Sequence, residues 1–134
     1  MDKLDGNSGI GLGIVDGRLA PCPNKPNCVS SQSAASDKQH YIEALTYIGE
    51  PAQARERLER AIVGMKRARV VVREANYWLS EFTSALWRFV DDVEFLFDDN
   101  ARRIDIRSAS RVGYSDLGVN RRRMVEIHRR FSGQ

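Results

Sequence analysis

Cysteine and histidine are scarce in this 134-residue chain, with two of each. That scarcity removes several chemistries at once. Neither residue type forms a cluster with metal-ligand spacing, and two histidines leave little choice of base for a nucleophilic triad. No G-x-S-x-G elbow is present. No apolar run approaches the length of a membrane span, and no signal peptide is visible. Met1–Gly13 could be an expression leader that replaces a removed export sequence. The chain also lacks a long lysine/arginine tract and any recognisable nucleic-acid motif, which disfavours nucleic acid as a partner. No motif calls for a cofactor or a metal.

What is present fits one domain of ordinary size, with 42% apolar and 29% charged residues. The net charge of +3 hides an asymmetry. Residues 1–100 hold 12 basic and 15 acidic side chains, whereas 101–134 hold nine arginines against Asp105, Asp116 and Glu126. A basic C-terminal segment suits an acidic ligand or partner.

Residues 1–39 are rich in Gly, Ser, Asn and Pro without sustained periodicity, and read as an extended arm or loop wrapping a domain at 40–134. The first dozen residues are expected to be mobile. Tyr41–Ile48 reads as a strand, and Pro51 then opens a helix with Ala54, Leu58, Ala61, Ile62 and Met65 at helical spacing. Four strands follow in meander order: Arg69–Ala75, Tyr77–Ser84, Phe89–Phe97 and Arg103–Ser110. Val93, Phe95, Phe97, Ile104, Ile106 and Ser108 share one face, and Asp92, Glu94, Arg103, Asp105 and Arg107 the other. A closing helix spans about Leu117 to Phe131, with Leu117, Met124, Ile127 and Phe131 as its apolar stripe. The expected fold is α+β: an antiparallel four- to five-stranded curved sheet with two helices on one face, in the order β-α-β-β-β-β-α.

Cys22 and Cys28 lie in P-C-P-N-K-P-N-C, a gap unlike the short spacing of zinc or redox sites. A small proline-stiffened loop can bring the sulfurs together as a disulfide, which indicates an oxidising compartment. Two reduced thiols in a surface loop are the alternative.

The densest candidate site is Arg107–Arg123. A strand leaves through a turn at Gly113 and enters a helix capped by Ser115 or Asp116. Bare amides there, beside Arg111 and Arg121, can grip a carboxylate or phosphate. The candidate contacts are Arg107, Ser110, Arg111, Tyr114, Ser115, Asn120 and Arg121, joined by Glu81 and Arg88. The competing reading is a capped helix whose arginines pair with Asp91, Asp92 or Glu94. Glu81, Asp92, Glu94, Arg107 and Arg111 read first as an ordinary ion-pair ladder across the sheet, with paired carboxylates serving as acid and base as the lesser alternative. Thr83, Ser108, Ser110 and Ser115 with His40 or His128 allow a triad only on paper. His128 reads as a half-buried packing residue, and Asn120 as a buried amide serving carbonyls of 110–116. Trp78, Phe82, Trp87 and Phe89 read as core, but a cavity between sheet and helix with aromatic walls would suit an apolar ligand.

Three stretches carry a family resemblance: P-C-P-N-K-P-N-C-V-S-S (21–31), E-F-T-S-A-L-W-R-F-V-D-D-V-E-F (81–95) and R-S-A-S-R-V-G-Y-S-D-L-G-V-N-R-R-R (107–123). The chain resembles, from about Gly17 onward, the family catalogued as domain of unknown function 1499, found in bacteria and chloroplasts. The resemblance implies no activity. Export, lipoprotein or thylakoid-lumen signals on some members imply a periplasmic or other extracytoplasmic setting, with the cytoplasm as the alternative. The resulting expectation is a non-enzymatic binding or accessory domain for a small anionic or amphipathic ligand. Two alternatives are an enzyme acting on a small anionic or ester substrate, with Glu81 or His128 as base, and an interaction module meeting a protein partner through the basic C-terminal helix.

Overall fold

Alternating apolar residues between 68 and 110 fold into an antiparallel meander in the computed structural model, which describes residues 11–133. A hairpin, β1 (Ile14–Val15) and β2 (Arg18–Leu19), precedes β3 (Cys28–Ser30) and β4 (Leu45–Thr46). Helix α1 (Pro51–Val63) follows, then β5 (Ala68–Arg73), β6 (Tyr77–Thr83), β7 (Val90–Asp98), β8 (Arg103–Ser110) and helix α2 (Val119–Ser132). The main sheet runs β3-β8-β7-β6-β5, with β4 pairing farther along the same edge of β8 as β3. Every named pairing is antiparallel. The α+β class and the order of the main elements are those expected from the sequence.

Both helices pack on one face. Leu58 and Ile62 of α1 and Met124, Ile127 and Phe131 of α2 meet Trp78, Phe82, Val93, Phe95, Phe97, Ile104 and Ile106 in a single apolar core. Pro51 begins α1 at the position where its missing N–H costs nothing.

Several local expectations change. The strand expected at Tyr41–Ile48 contracts to Leu45–Thr46, with an isolated parallel bridge from Tyr41 to Ser30. Within the segment read as an arm, Cys28–Ser30 enters the main sheet and Val29 joins the core. The part of the expected leader and mobile terminus at 1–10 lies outside the described residues. Leu117 leaves the apolar stripe: α2 starts two residues later, and Leu117 is 83% exposed.

The opposite face of the sheet is not the solvated charged surface its alternation suggests. Leu19 of the hairpin covers Tyr77, Leu79 and Leu96 in a second, smaller core. Beneath it Glu94 is wholly buried and accepts hydrogen bonds from the Gly13 amide (2.7 Å), the Tyr77 hydroxyl (2.6 Å) and Arg107 Nη1 (3.2 Å). Burial raises the Glu94 carboxyl above its ordinary range, although all three donors pull the other way. Glu94 and Arg107 are directly opposed across β7 and β8, so the pair is fixed by sheet register.

Cys22 and Cys28 form a disulfide, with Cα atoms 5.7 Å apart. It closes the proline-rich turn that feeds β3.

Two stability measurements follow. Reducing the disulfide, or Cys28→Ser, should cost about 2 kcal/mol for a loop this short, read by urea unfolding with and without reductant. Glu94→Ala should cost about 3–5 kcal/mol because Arg107 is left buried without its counter-charge, and Glu94→Gln should cost less because it keeps an acceptor.

Candidate functional site

The end of β8 and the start of α2 are held together by one buried side chain. Asn120 has no exposed surface. Its Nδ2 donates to Ser110 Oγ (2.9 Å), Asp116 Oδ2 (2.7 Å) and the Asn27 carbonyl (3.2 Å). Its Oδ1 accepts from the Ser108 hydroxyl (2.5 Å) and Arg123 Nη1 (2.8 Å). Asn27 returns a bond from its own Nδ2 to the Gly113 carbonyl (2.8 Å). The disulfide loop, the last turn of β8 and the first turn of α2 therefore form one unit.

Neither Ser115 nor Asp116 is the N-cap residue of α2. Gly118 takes that place in the left-handed region (φ 81), which glycine enters without steric cost. Asp116 reaches the helix from two residues earlier: Oδ1 accepts the Gly118 amide (2.8 Å) and Oδ2 the Asn120 amide (3.0 Å). Burial raises the Asp116 carboxyl, but the Asn120 and Gly118 donors outweigh it and hold the group below its ordinary range. The helix start thus already carries an anion, the chain's own.

The arginines are spent in the same way. Arg111 binds Asp92 through Nε (2.9 Å) and Nη2 (2.8 Å), and reaches Glu81 (2.9 Å). Arg107 faces Glu94, and Arg123 faces Asp91 (2.8 Å). Arg121 turns to the carbonyls of Lys38, Gln39 and Tyr41 at 3.0–3.1 Å. Glu81 sits between Arg111 and Arg69. His128 Nε2 lies 2.8 Å from the Glu43 carbonyl, and His40 lies between Asp37 and the Lys25 carbonyl. Among the described residues no hydroxyl is hydrogen-bonded to either histidine or to Glu81, and no group of three metal-ligating side chains occurs.

Two recesses flank the 110–113 segment. On the hairpin face, a hollow of about 510 Å³ gathers Arg107, Ser110 and Arg111 with Lys25, Asn27 and Asp92 beside the disulfide. Its arginines are balanced by Asp92, Glu81 and Glu94, and Lys25 has no acidic partner among the described residues. On the helix face, a groove of about 840 Å³ runs between the β6–β7 loop and the β8–α2 loop. Phe82, Trp87, Phe89, Val112, Leu117 and Val119 line it, with Ser110 and Ser115 at one wall. Arg123 stacks over the Phe82 ring at 4.9 Å. Arg88 lines a neighbouring hollow with Arg67 and Thr83, and Tyr114 projects into solvent, 65% exposed. Of the residues singled out by sequence, Arg107, Ser110 and Arg111 come together and Asn120 bonds Ser110 from within the junction, whereas Arg121 turns to the carbonyls of 38–41 and Tyr114 projects into solvent.

The groove exists because both loops are closed at the base. Ser84 N donates to the Phe89 carbonyl (2.8 Å) and Phe89 N to Ser84 Oγ (2.9 Å), so Ala85–Arg88 must project, with Arg88 left-handed (φ 59). Leu117 is left-handed as well (φ 56), held there between the Asp116 cap and Gly118. Its exposure, and that of Leu86 and Val112, escapes periodicity analysis. The available signal is three apolar residues among the four at 86–89, in a hairpin connection where polar residues are the norm.

The Asp116 cap has a measurable consequence. Its lowered pKa gives stability that is full above the ordinary carboxyl value of 3.8 and is lost as pH falls through the folded value. Asp116→Ala should cost about 1–2 kcal/mol at neutral pH, and the gap from wild type should narrow on acidification below that value. Unfolding free energies followed against pH measure both.

Searches of curated proteins and of solved structures return no match. A family model described as a protein of unknown function (DUF1499) matches residues 18–131, from the second strand of the hairpin through nearly all of α2. That span takes in the disulfide loop, the meander, both walls of the groove and the Asn120 junction, and the chain belongs to the DUF1499 family.

Proposed function

We propose that this domain binds a small amphipathic molecule with an anionic head, in the groove between the β6–β7 and β8–α2 loops. One observation carries the reading: large apolar side chains line an open recess instead of the core, with Trp87 71%, Phe89 52% and Leu117 83% exposed. An apolar concavity rimmed by a few polar groups is the usual form of a small-ligand site. The groove's charged end supplies the polarity. Lys66 and Arg67 line it and Arg88 lies in the adjoining hollow. Among the described residues neither Lys66 nor Arg88 has a side-chain partner, and Arg67 donates only to the Thr83 carbonyl. The acids on the opposite wall are occupied, Asp91 by Arg123 and Asp116 by its amides. Head and tail preferences are therefore separated along one recess.

The disulfide supports an oxidising, extracytoplasmic setting for this binding. No helix among the described residues is long and apolar enough to cross a membrane.

The test uses anilinonaphthalene sulfonate, an anionic aromatic probe, with dodecanoate as competitor. The folded protein should enhance the probe's emission, and dodecanoate should reverse it. Phe89→Ala should weaken binding roughly tenfold, the worth of one buried aromatic contact. Lys66→Glu should weaken dodecanoate more than a neutral alcohol of equal length. Absence of enhancement, or unchanged affinity in Phe89→Ala, excludes the groove.

A further inference from the structure

Twelve large apolar side chains are exposed among the described residues, and seven of them fall on the two groove loops and the first residue of α2: Leu86, Trp87, Phe89, Val112, Tyr114, Leu117 and Val119. Scattered exposed apolar residues are ordinary, but a contiguous set on adjacent loops marks an interaction surface. Five of the seven line the groove. Leu86 (75% exposed) and Tyr114 (65%) do not, although each neighbours a lining residue in sequence. A ligand confined to the groove makes no use of these two side chains.

Charge identifies the class of partner. Lys66, Arg67, Arg88 and Arg122 surround the loops, and none of the four has an acidic partner among the described residues. Arg122 is tied to the loop itself, through the Leu117 carbonyl at 2.9 Å. The nearby acids are turned inward: Asp91 bonds Arg123, and Asp116 bonds the Gly118 and Asn120 donors. Tryptophan, tyrosine and leucine at loop tips, ringed by unpaired cations, match the two layers of a bilayer surface. The aromatic and aliphatic groups enter the interface, and the cations meet phosphate at headgroup depth. A protein partner would need acids positioned against four separate cations, whereas an anionic lipid surface offers negative charge at every point.

We infer that the β6–β7 and β8–α2 loop tips dock this domain on anionic lipid bilayers, with Leu86, Trp87, Tyr114 and Leu117 entering the interface and Lys66, Arg67, Arg88 and Arg122 meeting lipid phosphates. The inference goes beyond the groove reading and does not require the groove to be occupied. Together they describe a domain that collects its amphiphile at a membrane surface.

Sedimentation with vesicles of phosphatidylcholine alone, and of phosphatidylcholine with equimolar phosphatidylglycerol, tests it on the full chain. Binding is expected only to the anionic vesicles. It should be released in about 1 M salt, where the Debye length falls to about 3 Å. Trp78 is buried and Trp87 exposed, and they are the chain's only two tryptophans, so a blue shift of emission on binding reports Trp87 entering the interface. The double variant Leu86→Asp/Tyr114→Asp should lower partitioning roughly tenfold or more, with its melting transition and its affinity for anilinonaphthalene sulfonate unchanged. Arg88→Glu, on the same projecting loop, should lower partitioning by roughly tenfold through charge alone. No binding, equal binding to neutral and anionic vesicles, or wild-type partitioning by both variants overturns the inference. Loss of probe binding with vesicle binding intact would refute the groove reading alone.

Discussion

The Asn120 side chain has no access to water, so each of its polar atoms must find a partner inside the chain. It finds them on four segments: Ser108 and Ser110 at the end of β8, Asp116 in the following loop, Arg123 one turn along α2, and Asn27 beside the disulfide. Leaving any of these atoms unpaired would cost a desolvation penalty of about 1–3 kcal/mol, a large share of a small domain's stability. The network is therefore close to all-or-none. It anchors at both ends a loop with two consecutive left-handed residues, Leu117 and Gly118. A left-handed leucine is unfavourable by about 1–2 kcal/mol, and the Asp116 bonds that span it, to the Gly118 and Asn120 amides, provide the compensation.

Fixing the backbone of this loop from below frees its side chains from any packing duty. Val112, Tyr114 and Leu117 contribute nothing to either core. The same holds across the groove, where Ser84 and Phe89 close the loop base and leave Leu86 and Trp87 outside. Both walls thus combine a rigid base with an apolar, solvent-facing tip. Exposed apolar surface of this kind gives nothing to folding and makes aggregation more favourable. A recess with pre-ordered walls also binds without the entropic cost of ordering them. The ligand reading and the membrane reading rest on that shared constraint and share Trp87, Leu117 and the cations Lys66, Arg67 and Arg88; Leu86, Tyr114 and Arg122 belong to the membrane reading alone.

Much of this was legible from residue order. The alternation in 90–110 placed Val93, Phe95, Ile104 and Ile106 on the helix face and Glu94 and Arg107 on the other, because a strand has a period of two whatever surrounds it. Pro51 and the Ala54–Leu58–Ile62 spacing placed α1 for similar reasons. The hairpin at 14–19 was not legible, since strands two residues long carry no period, and so the burial of Glu94 was hidden too. Leu117 fitted the helical stripe by spacing. What displaced it was Asp116, whose carboxylate caps the helix from outside and sets the first turn two residues later. Capping by a side chain at that distance leaves no simple sequence signature.

Charge was the least reliable guide to the site, and the reason is physical. Each of the nine arginines in 101–134 makes at least one hydrogen bond inside the chain. Arg103, Arg107, Arg111, Arg123, Arg129 and Arg130 do so with carboxylates. The segment's formal excess of positive charge is largely consumed by acids that the fold brings in from 81–94 and by those of its own strand and helix. Lys66, Arg67 and Arg88, in the part of the sequence with a net negative balance, keep their charge uncompensated at the surface. Among the described residues Arg102, Arg121 and Arg122 bond only carbonyls, and of these Arg122 is the one tied to the exposed loop, through the Leu117 carbonyl. Electrostatic attraction from this domain is set by which cations lack an acid within reach, and four of those cations, Lys66, Arg67, Arg88 and Arg122, lie beside the exposed apolar loops.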